Sequence, residues 1–139
     1  MLSIFIKNDV RFLIVGAYAL GAYIAPRSTG DIDFWIEPTK TNAQKTYAAL
    51  AEFGAPLQSL KIEDLEKPGT IFQIGLPPFR IDVITKISGV NFENAWADRV
   101  THPVLNIQVS IISKKYLIQN KRAAGRPKDL LDLDLLLKS

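Results

Sequence analysis

The chain has 139 residues, of which 47% are hydrophobic and 22% are charged, proportions typical of one globular domain with a buried core. It contains no cysteine and a single histidine, His102, which excludes disulfides, thiolate metal sites and cysteine nucleophiles and argues against histidine-rich metal sites. The net charge is +3, and residues 114–128 carry six lysines and arginines without one acid. Such a stretch favours phosphate or nucleic acid as a ligand, although a solvated helix face has the same composition.

The first part of the chain predicts a helix between two strands. Residues 1–6 are too short an apolar stretch for a signal peptide or a membrane span, so we expect a cytoplasmic protein with no membrane segment. Residues 10–15 predict a buried strand that Gly16 ends, and residues 17–24 predict a helix that Pro26 ends. Residues 31–36 alternate strictly between polar or aromatic and aliphatic side chains, which is typical of a strand.

The middle of the chain predicts a helix, a loop and a hairpin. Thr41 and Gln44 form a capping-box pattern for a helix that ends near Gly54, and residues 55–69 predict a loop with one helical turn at 62–65. Residues 70–75 and 79–85 predict two strands of a hairpin.

The last part predicts one more strand among helices. We expect a short helix over 91–97, a turn at His102, a strand over 104–111, a helix from Ser113 to about residue 123, and a final helix that Pro127 opens. The element order predicts a single α/β domain over 1–139, with a mixed β-sheet flanked by helices over 10–112 and a basic helical segment over 113–139.

Three aspartates are the candidate functional side chains. Asp31 and Asp33 lie on the same face of their predicted strand, where two neighbouring carboxylates repel each other unless a cation lies between them. Asp82 lies in the middle of an apolar strand, where a charge is costly unless it is paired or bound to metal. The alternative for Asp82 is an exposed edge strand with Asp82 paired to Arg80. With so little histidine and no cysteine, the metal must be one that oxygen atoms bind, such as Mg²⁺, Mn²⁺ or Ca²⁺.

A phosphate site is predicted beside these acids. Gly16 permits a tight turn and a close approach of the backbone to a ligand. The helix that follows presents free backbone N–H groups from Ala17 onward, together with the positive end of its dipole. Trp35 shares the face of Asp33 and either stacks on a base or packs in the core, of which core packing is the better interpretation.

Together these motifs resemble the nucleotidyltransferase superfamily, and most closely its small standalone bacterial members, which include minimal nucleotidyltransferases and abortive-infection-type toxins. The resemblance spans nearly the whole chain and is carried by Leu13-Ile14-Val15-Gly16-Ala17-Tyr18-Ala19, by Pro26-Arg27-Ser28-Thr29-Gly30-Asp31-Ile32-Asp33, by Arg80-Ile81-Asp82, and by Asn120-Lys121-Arg122-Ala123-Ala124-Gly125-Arg126-Pro127-Lys128-Asp129.

The resemblance implies an enzyme that transfers a nucleoside monophosphate from a nucleoside triphosphate such as ATP to a hydroxyl group. Asp31, Asp33 and Asp82 would be its catalytic and metal-binding residues and would hold two Mg²⁺ ions, with Mn²⁺ as a substitute. The implied nucleotide-binding residues are Gly16, Ala17, Arg27, Thr29, Lys121 and Arg126. Active members often have serine where this chain has Ala17, which leaves the backbone N–H but no hydroxyl for the phosphates.

Several of these assignments have structural alternatives. Arg27 can instead pair with Asp31 or Asp33 and order its loop, Lys121 can extend its aliphatic stem over the core, and Asp129 is better explained as stabilising the start of the last helix.

The functional alternatives are also open. The acceptor can be protein, RNA or a small molecule. A catalytically degenerate binding protein, or the antitoxin of a toxin–antitoxin pair, is the main alternative to an enzyme, and Ala17 favours it. A metal-dependent nuclease is disfavoured because the basic stretch is too short to bind a duplex.

Overall fold

The computed structural model describes residues 1–24, 30–76, 79–104 and 106–139. In this part of the chain six strands form one mixed sheet with the order β3-β4-β2-β1-β6-β5. The strands are β1 (Phe12–Val15), β2 (Asp31–Ile36), β3 (Ile71–Leu76), β4 (Phe79–Ile84), β5 (Val100–Val104) and β6 (Ile107–Ile111).

Helices flank this sheet. They are α1 (Leu2–Lys7), α2 (Gly16–Tyr23), α3 (Lys40–Phe53), α4 (Phe92–Ala97), α5 (Lys114–Ala124) and α6 (Pro127–Lys138), with a 3₁₀ helix over Ile62–Glu66. Within the described ranges, none of these helices has the length and apolar character that crossing a bilayer requires. The predicted α/β class with a mixed sheet flanked by helices is confirmed.

The strand directions bring distant parts of the sequence side by side. β1 is antiparallel to β2 and parallel to β6, while β2 is parallel to β4. All four residues of β1 are buried, because the strand is covered on both faces. The predicted hairpin of β3 and β4 is present as an antiparallel pair. Its connection, Pro77 and Pro78, lies outside the described residues.

Aromatic side chains fill the core on both faces of the sheet. On one face, Phe5 of α1 contacts Phe12 and Phe34 with ring centroids 5.4 and 5.1 Å apart. On the face that carries Asp33, the Trp35 ring meets Phe92 of α4 edge to face at 5.0 Å. Trp35 is 2% exposed, so the core interpretation of this residue is the correct one.

The predicted strand over 104–111 is confirmed only in its second part: Ile107–Ile111 form β6, but Val104 ends a separate strand, β5, and the two strands pair as a hairpin. Residues 100–104 pair antiparallel with 107–111, and Asn106 takes a left-handed conformation with φ of 67°. His102 and Pro103 lie in β5 and not in a turn. A proline is tolerated there because β5 is the outer strand, where no further strand needs the missing N–H.

Two helix starts also differ from the prediction. The side chain that caps α3 is Thr39, whose hydroxyl accepts a hydrogen bond from the Asn42 N–H, and not Thr41. Helix α1 is absent from the prediction, because its six residues are too few to show a helical repeat. The predicted caps of α5 are present, since Ser113 accepts from the Tyr116 N–H and Gly125 is left-handed with φ of 64°.

Candidate active site

The site begins where β1 passes into α2. Val15 pairs with Asp33 across the β1–β2 ladder, and Gly16 follows with φ of 71°, a left-handed conformation that favours glycine. A Cβ atom on Gly16 would overlap Oδ2 of Asp33. Glycine is therefore needed at this position both for the turn and for the close approach of the Asp33 carboxyl group.

Asp82 lies beside Asp33 on the neighbouring strand. The parallel register of β2 and β4 pairs Asp33 with Asp82, and their carboxyl groups are close enough to hydrogen bond when one is protonated. Asp82 is 8% exposed. Burial, followed by the negative charges of Asp82 and Asp31, raises the pKa of Asp33 to about 6, while the nearby Arg80 opposes this rise.

Arg80 joins two of the three carboxylates. Its Nη2 lies 3.3 Å from Oδ2 of Asp31, and its Nε lies 3.0 Å from Oδ1 of Asp82. The alternative interpretation of Asp82 assumed an ion pair with Arg80, and this ion pair is present. The rest of that alternative is wrong, because β4 lies between β3 and β2 and Asp82 is buried.

The carboxylates suit a divalent cation that takes the rest of its oxygen ligands from phosphate groups and water. Among the described residues, no three His, Cys, Asp or Glu side chains are arranged to hold a metal ion, so the three-carboxylate site stays a prediction. Oδ1 of Asp82 is buried and accepts no hydrogen bond, because the Arg80 Nε–H is not directed at it despite the short distance. Mg²⁺ commonly takes one or two carboxylates and completes its shell with substrate phosphates and water. The pair of Asp33 and Asp82 fits that pattern.

A cleft of about 450 Å³ opens on this site. It brings the start of α2 together with the end of α5 and the residues that follow β4, although these segments are far apart in sequence. The lining includes four of the predicted site residues, Gly16, Asp33, Lys121 and Arg126, and also Lys86, Ser88, Asn120 and Asp129.

Lys121 is part of a buried ion cluster. Its Nζ lies 3.4 Å from Asp129 Oδ1 and 3.2 Å from Asp132 Oδ2, and all three side chains are almost fully buried. The stem of Lys121 therefore does not carry its ammonium group out to solvent over the core. The positive charge of Lys121 is therefore balanced inside the protein. The run of cations in the sequence did not indicate this, because Asp129 and Asp132 come after that run.

Arg126 also pairs with this cluster. Its Nε donates to Asp129 Oδ2 at 2.6 Å while its Nη2 donates to Oδ1 at 3.2 Å, a bidentate contact at an exposed arginine. The arginine hydrogen bonds, ahead of the Lys121 charge, hold the pKa of Asp129 below its usual range. Asp129 also accepts from the Arg126 backbone N–H at the start of α6, which is the helix-stabilising role expected of it.

Of the three remaining predicted nucleotide-binding residues, only Ala17 lies in the described part of the chain. Ala17 follows Gly16 in the first turn of α2 and is partly exposed. Arg27 and Thr29 lie outside the described residues.

Arg80 and Lys86 are site residues that the sequence prediction did not assign. Strand alternation indicated Arg80, because it lies two residues before Asp82 in β4 and therefore on the same face. Lys86 lies beyond the end of β4, and only the fold brings it to the cleft.

Comparisons with known proteins identify the fold. No protein-family model matches the chain, and no curated protein sequence matches it. Among solved structures, the chain is similar to the lincosamide antibiotic adenylyltransferase LnuA in its lincomycin-bound form, with a TM-score of 0.59 and 15% sequence identity. The match covers 98% of this chain and 91% of that one. The chain therefore has a nucleotidyltransferase-like fold over nearly its whole length.

Proposed function

We propose that the protein is a Mg²⁺-dependent nucleotidyltransferase that moves a nucleoside monophosphate from a nucleoside triphosphate to a hydroxyl group. The observation that carries this proposal is the contact of three elements at one point: the Gly16 turn, the Asp33 carboxyl group against it, and Asp82 in register beside Asp33. The cleft beside them is the place for the nucleotide. The fold shared with LnuA, an adenylyltransferase, supports the same reaction class.

Nucleotidyl transfer requires little covalent chemistry from the protein itself. The acceptor oxygen forms a bond to the α-phosphorus, the bond from that phosphorus to the bridging oxygen breaks, and pyrophosphate leaves. Asp33 and Asp82, with Asp31 nearby, would hold Mg²⁺, which would supply positive charge for the phosphate oxygens. By the resemblance to nucleotidyltransferases, Asp82 would accept the proton of the acceptor hydroxyl. The Gly16 turn lets the first N–H groups of α2 face the phosphates.

A second candidate function is nucleotide binding without transfer, by a catalytically degenerate protein of the same fold. Two observations favour it: Ala17 offers no hydroxyl to the phosphates, and Arg80 already pairs with two of the three acids. In that case Arg80 keeps its contacts when nucleotide is bound, and the acids have no catalytic part.

Ligand-induced stabilisation tests whether the cleft takes a nucleotide. The melting temperature is measured with each of the four nucleoside triphosphates, with Mg²⁺ and with EDTA in its place. At a hundredfold excess over the dissociation constant, linkage gives about 2.7 kcal/mol of added stability. We expect a rise for at least one nucleotide with Mg²⁺ and a smaller rise with EDTA. A folded protein that no nucleotide stabilises at millimolar concentration would contradict both candidate functions.

A further inference from the structure

Among the residues that the structure describes, three cations line the cleft, and two of them are already balanced by acids. Lys121 is buried between Asp129 and Asp132, and Arg126 makes a bidentate contact with Asp129. These four side chains carry two positive and two negative charges, so the cluster as a whole adds no net charge to the cleft. The third cation, Lys86, is exposed and has no acidic partner among the residues that the structure describes.

The position of Lys86 is also suited to a phosphate contact. It lies two residues beyond the end of β4, after a bend at Thr85. It lines the same cleft as Gly16 and Asp33. Of the described residues that line the cleft, Lys86 is therefore the cation available to a phosphate chain at the Gly16 turn.

The segment that carries Lys86 is fastened to α5. The side-chain amides of Gln119 and Asn120 donate hydrogen bonds to the backbone oxygens of Gly89 and Ser88, at 2.7 and 3.0 Å. Gly89 has φ of 71° and lies so close to the Ala123 side chain that a Cβ would overlap it. The turn after β4 is thus held in one position, which lowers the entropy that Lys86 loses when it binds a ligand.

We propose that Lys86 binds the triphosphate of the nucleotide and, after transfer, the pyrophosphate that leaves. This inference rests on the proposed function and assigns within it the phosphate contact that Lys121 was expected to make. An ammonium group on a flexible stem suits this role, because it can follow the phosphate oxygens as the bond to the α-phosphorus breaks. Lys121 and Arg126 then act as positioning residues that hold α6 against α5 at the wall of the cleft.

The test uses inorganic tripolyphosphate with Mg²⁺ as the probe, because it has no base or sugar that could bind elsewhere. Its affinity is measured by calorimetry for the wild-type protein and for Lys86→Met, Lys86→Arg and Lys40→Met. Lys40, an exposed lysine in the first turn of α3, is the matched control, since it lines no part of the cleft. Losing a charge-assisted contact corresponds to a loss of affinity of about tenfold or more.

We expect Lys86→Met to lose about tenfold in tripolyphosphate affinity, Lys86→Arg to keep most of it, and Lys40→Met to match the wild type. All variants should melt at the wild-type temperature, because both lysines are exposed. Equal affinities for Lys86→Met and Lys40→Met, in a wild-type protein that binds the probe, would overturn the role of Lys86 and leave the proposed function standing. A wild-type protein that binds neither tripolyphosphate nor any nucleoside triphosphate would overturn both.

Discussion

Replacing Asp33 with asparagine should change the stability of the metal-free protein in a pH-dependent way. The pKa of Asp33 is raised to about 6 in the folded protein, mainly by burial and then by two neighbouring carboxylates, against an ordinary value of 3.8. The folded state therefore holds this proton more tightly than the unfolded state does. Stability from this group is fully present below about pH 4 and is lost as the pH rises through about 6.

The size of the effect follows from that difference in pKa. A difference of about two units corresponds to a ceiling of about 3 kcal/mol above pH 7. Because the Asp33 carboxyl group is only partly buried, solvent screening reduces this to about 1–2 kcal/mol. An asparagine side chain carries no charge to desolvate, so Asp33→Asn should be more stable than the wild type by about that amount at pH 8 and equal to it at pH 4.

Urea unfolding in EDTA at several pH values between 4 and 8 measures this difference directly. Glu63→Gln, at an exposed carboxylate on the 3₁₀ helix, is the control and should show no such trend. Added Mg²⁺ should stabilise the wild type at pH 8 more than the variant, since the variant has lost one carboxylate of the pair. A stability difference between Asp33→Asn and the wild type that stays constant across this range would refute the account of the site's electrostatics.

Three further sets of substitutions test the geometry by equilibrium unfolding. Gly16→Ala should lower the free energy of unfolding by at least about 2 kcal/mol, because of left-handed strain and overlap with Asp33. Adding Asp33→Ala should relieve only the overlap. A Gly16→Ala protein as stable as the wild type would contradict this. Lys121→Met should lower the free energy of unfolding by about 3–5 kcal/mol because it removes the buried cation that lies between Asp129 and Asp132, whereas a change in nucleotide affinity alone would contradict the buried cluster. Gly89→Ala should lower the free energy of unfolding by about 1–3 kcal/mol. Adding Ala123→Gly in the same chain should recover part of that loss. Additive effects of the two substitutions would show that the two residues do not touch.

The sheet strands that position the acids could be predicted from the sequence because their pattern is local. Residues 31–36 alternate with a period of two, so both the strand and the shared face of Asp31 and Asp33 were predictable. That Asp82 lies beside Asp33 depends on the parallel pairing of β2 with β4, which no local pattern encodes. The resemblance to nucleotidyltransferases, and not the periodicity, placed these strands together.

The charge balance of the C-terminal segment could not be predicted in the same way. A count along the sequence gives six cations and no acid between residues 114 and 128, and it suggests a phosphate-binding surface. In the fold, α6 turns back against α5, and its buried face carries Asp129 and Asp132 toward Lys121. Which cations remain available for a ligand thus depends on tertiary contacts, and Lys86, which stands alone in the sequence, has no acidic partner among the described residues.

The hairpin of β5 and β6 was not predicted for a similar reason. Proline and the turn-forming Asn106 suggest a loop before a single strand, and only the position of β5 at the outer side of the sheet makes Pro103 compatible with a strand.

Transfer of the α-phosphate is the measurement that tests the proposed function most directly. The protein is incubated with Mg²⁺, cell lysate as the source of acceptor, and the stabilising nucleotide labelled at either the α- or the γ-phosphorus. We predict that the α-label enters an acceptor and the γ-label appears in pyrophosphate, and that Asp33→Asn abolishes both while remaining folded. Label transferred from the γ-position, or equal α-transfer by Asp33→Asn, would contradict nucleotidyl transfer at this site.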